Sequence, residues 1–218
     1  MTRSKPRMPV PKTAMSTCGS SVAKNAAGIA TDAKGFVRVD ETLATSAPHV
    51  FAAGDVTGRF MVVPPALQDG YVAATNAVRG EGLRRDPGVN PIGSFTDPEY
   101  ASIGLTEAAA RAKHDVVVGR VDFDETTRTI IDGRTTGFCK LLADRAAGTI
   151  VGCHVVGERA VDIVQVVTIA IASGMRVDAL ARVALSYPTY AGILARAAYR
   201  AALQIDPALT VPQQLGQE

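Results

Sequence analysis

FCKLLADRAAGTIVGCHVV, residues 138–156, reads as two apolar runs, Phe138 to Ala143 and Ile150 to Val156, separated by Asp144-Arg145-Ala146-Ala147-Gly148. The runs have strand length, and the polar, glycine-ended segment between them is hairpin chemistry, so the stretch predicts an antiparallel pair. Upstream, strands are expected near Ile92 to Phe95 and Val116 to Phe123, with a helix near Thr106 to Lys113. Downstream the spacing turns helical: Ala160 to Ser173 with Gly174 as C-terminal cap, Asp178 to Val183 with Asp178 as N-cap, and roughly Tyr190 to Gln204. Strands followed by helices, rather than alternating with them, indicate an α+β fold.

Before this block the pattern differs. Gly35 to Asp40 reads as a short strand after the turn Asp32-Ala33-Lys34-Gly35, and His49 to Ala53 as a buried strand delivering Gly54-Asp55 at its carboxyl end. From Pro64-Pro65 a helix is expected, with Ala66, Leu67, Val72, Ala73, Ala74, Ala77 and Val78 as one apolar face. Arg79 to Pro91 is rich in Gly, Arg, Asp, Pro and Asn, the composition of a linker. The expected organisation is therefore a leader over 1–25, a truncated α/β segment over 26–87 and an α+β domain over 88–218.

Composition narrows the function classes. The 218 residues carry 23 basic and 21 acidic side chains, a net +2, with 47% hydrophobic residues and no tryptophan. Balanced charge without basic clusters argues against a nucleic-acid surface. The most apolar stretch, Ala160 to Met175, is broken by Asp162, Gln165, Thr168 and Ser173, so no membrane span is expected. Cys18, Cys139 and Cys153 make no CxxC and no metal-ligand spacing; no metal is expected, buried Cys139 and Cys153 should act as small hydrophobes, and a reducing cytoplasm is the simplest compartment. The leader carries Arg3, Lys5, Arg7, Lys12 and Lys24 without an apolar core, which excludes a secretory signal and leaves a transit peptide, a loose tail or a displaced start. His154 reads as a satisfied core or interface histidine, and His49 and His114 have no partner that the sequence names.

Two stretches carry a family resemblance. Thr45-Ser46-Ala47-Pro48-His49-Val50-Phe51-Ala52-Ala53-Gly54-Asp55 resembles the TxxxxxxAxGD motif of flavoproteins with two dinucleotide-binding domains. Phe95-Thr96-Asp97-Pro98-Glu99-Tyr100-Ala101-Ser102-Ile103-Gly104-Leu105-Thr106-Glu107 is similar to the opening of the dimerisation domain of the pyridine nucleotide-disulfide oxidoreductases, a family that includes lipoamide dehydrogenase, mercuric reductase and the soluble transhydrogenase. Residues 137–141 and 150–157 continue the match in register, and the likeness covers roughly Ala26 to Ile205. The resemblance implies FAD contacts at Gly54 and Asp55, the carboxylate taking a ribityl hydroxyl, and a helix from about Ala66 whose amino end faces the flavin pyrimidine. It also implies NAD(P)H as electron donor in a complete relative, and a homodimer or association with a full-length paralogue.

The same comparison shows what this sequence lacks: it holds no GxGxxG and no CxxxxC. Where the disulfide reductases of the family carry His-Pro-Thr-x-x-Glu, this chain reads Tyr187-Pro188-Thr189-Tyr190-Ala191-Gly192. A phenol is a poor base near neutrality but donates a proton or a hydrogen bond, so Tyr187 is either a substrate-side donor or a side chain packed at a helix start. Two functions follow as expectations. The chain is a truncated FAD-dependent NAD(P)H oxidoreductase, passing hydride through flavin to an unidentified acceptor and not catalytic alone. The alternative is a noncatalytic homodimerisation or interaction module.

Overall fold

The computed structural model describes residues 27–86 and 88–211. The chain divides into two compact units, Met1–Pro87 and Gly88–Glu218.

The C-terminal unit is α+β. Strands β1 (Ile92–Ser94), β2 (Tyr100–Gly104), β3 (Val116–Asp122), β4 (Phe138–Asp144) and β5 (Ile150–Val156) form one antiparallel sheet in the order β1-β2-β5-β4-β3. The β4–β5 hairpin closes as its sequence predicts. Gly148 N–H donates to Asp144 O at 2.8 Å and Ala147 N–H to the Asp144 carboxylate at 2.7 Å. Alternation then sorts the two faces of the sheet. Ala101, Ile103, Val117, Val121, Cys139, Leu141, Cys153 and Val155 point into the main core. The long helices Ala160–Ala172 and Gly192–Ala202 cover this face, the second seated on β3 and β4. Its seat depends on Gly119, where a Cβ would run into Ala197 O. Glycine on the strand and alanine on the helix thus let the two backbones meet closely.

Several elements differ from the sequence reading. Tyr100–Gly104 is a strand the pattern did not announce, with Ala101 and Ile103 inward and Tyr100 and Gly104 outward. A short helix over Thr127–Ile131 is also unannounced. Asp178 is not an N-cap: its helix starts at Val177 after Arg176, and the Asp178 carboxylate is instead held by Arg176 and Arg182. Gly174 does follow its helix in the left-handed conformation (φ +65°), with Ser173 as the capping residue.

Numbered along the chain, the helices are α1 (Val63–Arg79), α2 (Glu107–Arg111), α3 (Thr127–Ile131), α4 (Ala160–Ala172), α5 (Val177–Ala181) and α6 (Gly192–Ala202).

In the N-terminal unit the two expected strands are not ladders. Thr31↔Val37 and Ala44↔Phe51 are isolated bridges, because each extended segment finds only one paired partner among the described residues. The Asp32–Gly35 turn forms as expected, the Asp32 carboxylate accepting from Lys34 N–H and Phe36 N–H. Among the described residues two small clusters, one around Ile29, Val37, Ala52 and Val56 and one around Leu43, Val72 and Ala73, supply the apolar packing. Helix α1 begins at Val63 and does not present one apolar face: Pro65, Asp69, Val72, Ala73 and Asn76 are buried, while Leu67, Ala74, Ala77 and Val78 are exposed. The linker segment is tied down locally. Asn76 Nδ2 donates to Thr42 O at 2.9 Å and Leu83 O at 2.8 Å, and Arg85 pairs with buried Asp69.

Candidate functional site

In the N-terminal unit the structure brings Gly54, Asp55 and Ala66 into one neighbourhood. The segment ending at Ala53 is extended and turns at Gly54, whose φ of +76° favours glycine. A Cβ on Gly54 would lie 3.6 Å from Ala66 Cβ, so the turn rests against the first turns of α1. Gly54–Thr57 forms a 3-10 turn, tightened by Thr57 Oγ1 donating to Gly54 O at 2.8 Å. Asp55 lies on its exposed side, and its carboxylate has no hydrogen-bond partner among the described residues. Asp55 O, by contrast, accepts from Gly58 N–H.

Ala66 occupies the fourth helical position rather than the start, and its N–H donates to Val62 O at 3.3 Å. The positive end of α1 is formed by Val63, Pro64 and Pro65, with no side-chain cap and no acidic residue in the first turn. Two prolines remove two of the first-turn donors, so what remains is chiefly the dipole of a long helix. A carboxylate with no partner among the described residues, a glycine permitting close approach and an uncapped positive helix end are chemically compatible with the FAD contacts that the family resemblance implies for them. What such an arrangement can do alone is orient and electrostatically favour a bound group.

Tyr187 belongs to the other unit. The residue is 70% exposed and precedes α6, which starts five residues later, so it is not packed at a helix start. Its hydroxyl is nonetheless engaged, 2.7 Å from Thr127 Oγ1 at the first residue of α3. Tyr190 OH donates to Asp132 at 2.7 Å. Burial and the Asp132 carboxylate push that phenol up to about 12. Hydrogen bonds from Tyr190 and Arg128 hold Asp132 below the usual carboxylate value. Gly192, at the position of the family's glutamate, has no side chain with which to polarise a neighbour.

Other titratable groups settle into structural roles. His154 hydrogen-bonds Leu105 O at 3.0 Å through Nε2, as a satisfied histidine should. His114 has a partner that local sequence did not reveal, Asp144, at 2.7 Å. The backbone N–H of Ala147 and then His114 lower the Asp144 carboxyl. Cys139 and Cys153 are buried with sulfurs 4.0 Å apart, and the Cys139 contact together with burial raises the Cys153 thiol, which keeps it protonated and inert. Cys18 lies outside the described residues. Among the described residues no cluster of His, Cys, Asp and Glu could hold a metal ion, and no helix is long and apolar enough to cross a membrane.

Comparison with known proteins gives two matched regions. Residues 90–198 match the pyridine nucleotide-disulphide oxidoreductase dimerisation domain, and residues 15–70 match the pyridine nucleotide-disulphide oxidoreductase domain. The chain is 31% identical over 176 residues to dihydrolipoyl dehydrogenase 3 of Haloarcula marismortui, covering 80% of this chain and 37% of that protein. It is 37% identical over 174 residues to a mercuric reductase of Streptomyces lividans, covering 78% of this chain and 36% of that protein. In fold it is like the HOCl-induced flavoprotein disulfide reductase RclA of Escherichia coli, with a TM-score of 0.75, 23% identity, and coverage of 81% of this chain and 41% of that one. The chain thus spans little more than a third of the length of these curated relatives.

Proposed function

This chain belongs to the pyridine nucleotide-disulphide oxidoreductase family, and from that premise we propose that it is the C-terminal part of an FAD-dependent NAD(P)H oxidoreductase. Its N-terminal unit supplies the second FAD contact, its C-terminal unit supplies homodimerisation, and the stretch is not catalytic alone. The observation that carries this reading is the Gly54–Asp55 turn resting against α1, with no hydrogen-bond partner for the Asp55 carboxylate among the described residues. In a complete enzyme Asp55 accepts a hydrogen bond from a ribityl hydroxyl, and Gly54 lets the cofactor approach the backbone. FAD held there would supply hydride transfer from NAD(P)H, and the uncapped end of α1 would favour the negative charge this brings. Tyr187 serves as a hydrogen-bond or proton donor toward the acceptor rather than as a base. The protein belongs in the cytoplasm on this reading, where the thiols of Cys139 and Cys153 stay reduced.

The outer surface of α1 supports the same view. Val63, Leu67, Tyr71, Ala74 and Val78 stand at i, i+4, i+8, i+11 and i+15, an apolar stripe opposite the buried face, with Val63, Leu67 and Tyr71 each about 70% exposed. A helix apolar on two faces belongs inside a larger domain. The alternative, a noncatalytic dimerisation module, draws on the completeness of the five-stranded sheet and its core. Co-expression with a polypeptide carrying the GxGxxG and CxxxxC half of a relative separates the two. The oxidoreductase reading expects a flavin absorbance band in the purified complex that weakens with Asp55→Ala; a complex that forms without flavin refutes it.

A further inference from the structure

The segment around Tyr187 is fastened to one short helix at both of its ends. Thr127, the first residue of α3, meets Tyr187 OH at 2.7 Å, and Asp132, just after its last residue, accepts from Tyr190 OH at 2.7 Å. Arg128 Nε donates to the same Asp132 carboxylate at 2.8 Å, fixing it from within the helix. Inside the segment, Thr189 Oγ1 donates to Ser186 O at 2.7 Å and Gly192 N–H to Thr189 O at 3.2 Å, so the backbone between the two phenols is held as well.

Helix α3 is itself anchored below. Thr129 is 1% exposed, and its hydroxyl lies within hydrogen-bond reach of Phe123 O and Thr126 O, while Thr126 and Thr129 hydroxyls meet at 2.8 Å. Phe123 is fully buried in the main core. A path of hydrogen bonds and helix backbone therefore runs from Phe123 through α3 to an aromatic ring that is otherwise in solvent.

An exposed tyrosine normally samples several rotamers, and holding one costs conformational entropy that burial does not offset here. The Thr127 contact holds it. Either hydroxyl of the pair can donate. When Thr127 donates, the phenol keeps its own proton for a group arriving from solvent.

We propose that α3 is a positioning element for Tyr187, with Thr127 fixing the phenol and the Tyr190–Asp132 contact fixing the loop that carries it. This rests on the reading that Tyr187 stands in the place of the family's acid/base residue, since only there does a fixed, outward phenol have a task. Thr127 is a positioning residue, acting through Tyr187.

The test uses tyrosine-labelled chain without flavin. The sequence holds five tyrosines, so each gives a resolvable set of NMR signals, and Tyr187→Phe assigns the one in question. The parent should show the Hα–Hβ couplings of a single Tyr187 rotamer. Thr127→Val should collapse them to rotamer-averaged values while the other four tyrosines stay in place, and Thr127→Ser should restore them. In Tyr187→Phe, labelled at phenylalanine instead, the ring at position 187, having lost its hydroxyl, should average in the same way, a second reading that does not depend on Thr127→Val folding normally. A single rotamer retained in Thr127→Val or in Tyr187→Phe overturns the proposal, as does Thr127→Ser behaving like valine. Because no flavin is present, failure here leaves the oxidoreductase reading standing, and loss of that reading leaves the couplings to be judged by themselves.

Discussion

The two units handle their apolar residues in opposite ways. The C-terminal unit closes a five-stranded sheet under α4 and α6 and buries one continuous cluster from Ala101 to Leu209. Among its described residues the N-terminal unit has two small clusters, two isolated bridges and a helix whose outer stripe faces outward. Since apolar burial is the main favourable term in folding, the first unit is self-sufficient and the second requires cover. The contrast teaches that the C-terminal unit carries a core of its own, while the described part of the N-terminal unit leaves an apolar stripe uncovered.

The largest expected effect strikes the self-sufficient half. Leu141→Ala removes a fully buried side chain from the main cluster and should cost ~2–5 kcal/mol in chemical denaturation. A loss well below that range would mean that the C-terminal core is loosely packed and the contrast overstated.

Next in size is the acid limb. Glu125 accepts from Arg200 and from Asp122 N–H, and chiefly the Arg200 hydrogen bond lowers its carboxyl to about 2. With a depressed folded value, the contribution is complete above the ordinary carboxylate range and is lost as pH falls toward 2. Both side chains are about a third or more exposed, so screening limits the pair to ~0.5–1 kcal/mol. Acid titration of stability should show this limb in the parent and a flattened one in Arg200→Gln.

The alkaline side carries a comparable device. Tyr190 has its phenol raised to about 12, so its contact with Asp132 contributes in full below the ordinary tyrosine value and is lost as pH rises through about 12. Tyr190→Phe should remove that alkaline transition in an ultraviolet pH titration.

The smallest effect on stability should come from the unit that needs cover. Leu67→Ser, at a side chain 70% exposed, should change the denaturation midpoint of the C-terminal unit by no more than ~0.5 kcal/mol in equivalent stability, yet reduce binding of a hydrophobic dye. Unchanged dye binding would show that the stripe on α1 is already covered.

Legibility followed the same division. Strands β3, β4 and β5 were readable because their runs are long and the Asp144–Gly148 segment is unambiguous turn chemistry. Strand β2 was not, since Tyr100-Ala101-Ser102-Ile103-Gly104 follows Pro98-Glu99 and carries three small residues, and its place between β1 and β5 is set by tertiary pairing. Helix α3 escaped because Thr-Arg-Thr-Ile-Ile is β-branched; its conformation comes from the Thr126 and Thr129 hydroxyls reaching Phe123 O. At the candidate site Gly54 and Asp55 were legible as a strand-end turn. The Thr127–Tyr187 contact joins residues 60 apart, and no local pattern encodes it. The apolar face of α1 was misread because its apolar residues fall on two opposite sides, and only the packing shows which side is inward.

The most direct test of the account is one chromatography run of the purified chain with added FAD, recording flavin absorbance and light-scattering mass together. The account predicts a dimeric mass with no stoichiometric flavin peak, the C-terminal unit associating and the N-terminal unit offering only part of a cofactor site. A monomer would contradict the dimerisation reading, and a stoichiometric flavin peak would contradict the claim that this stretch cannot hold the cofactor alone.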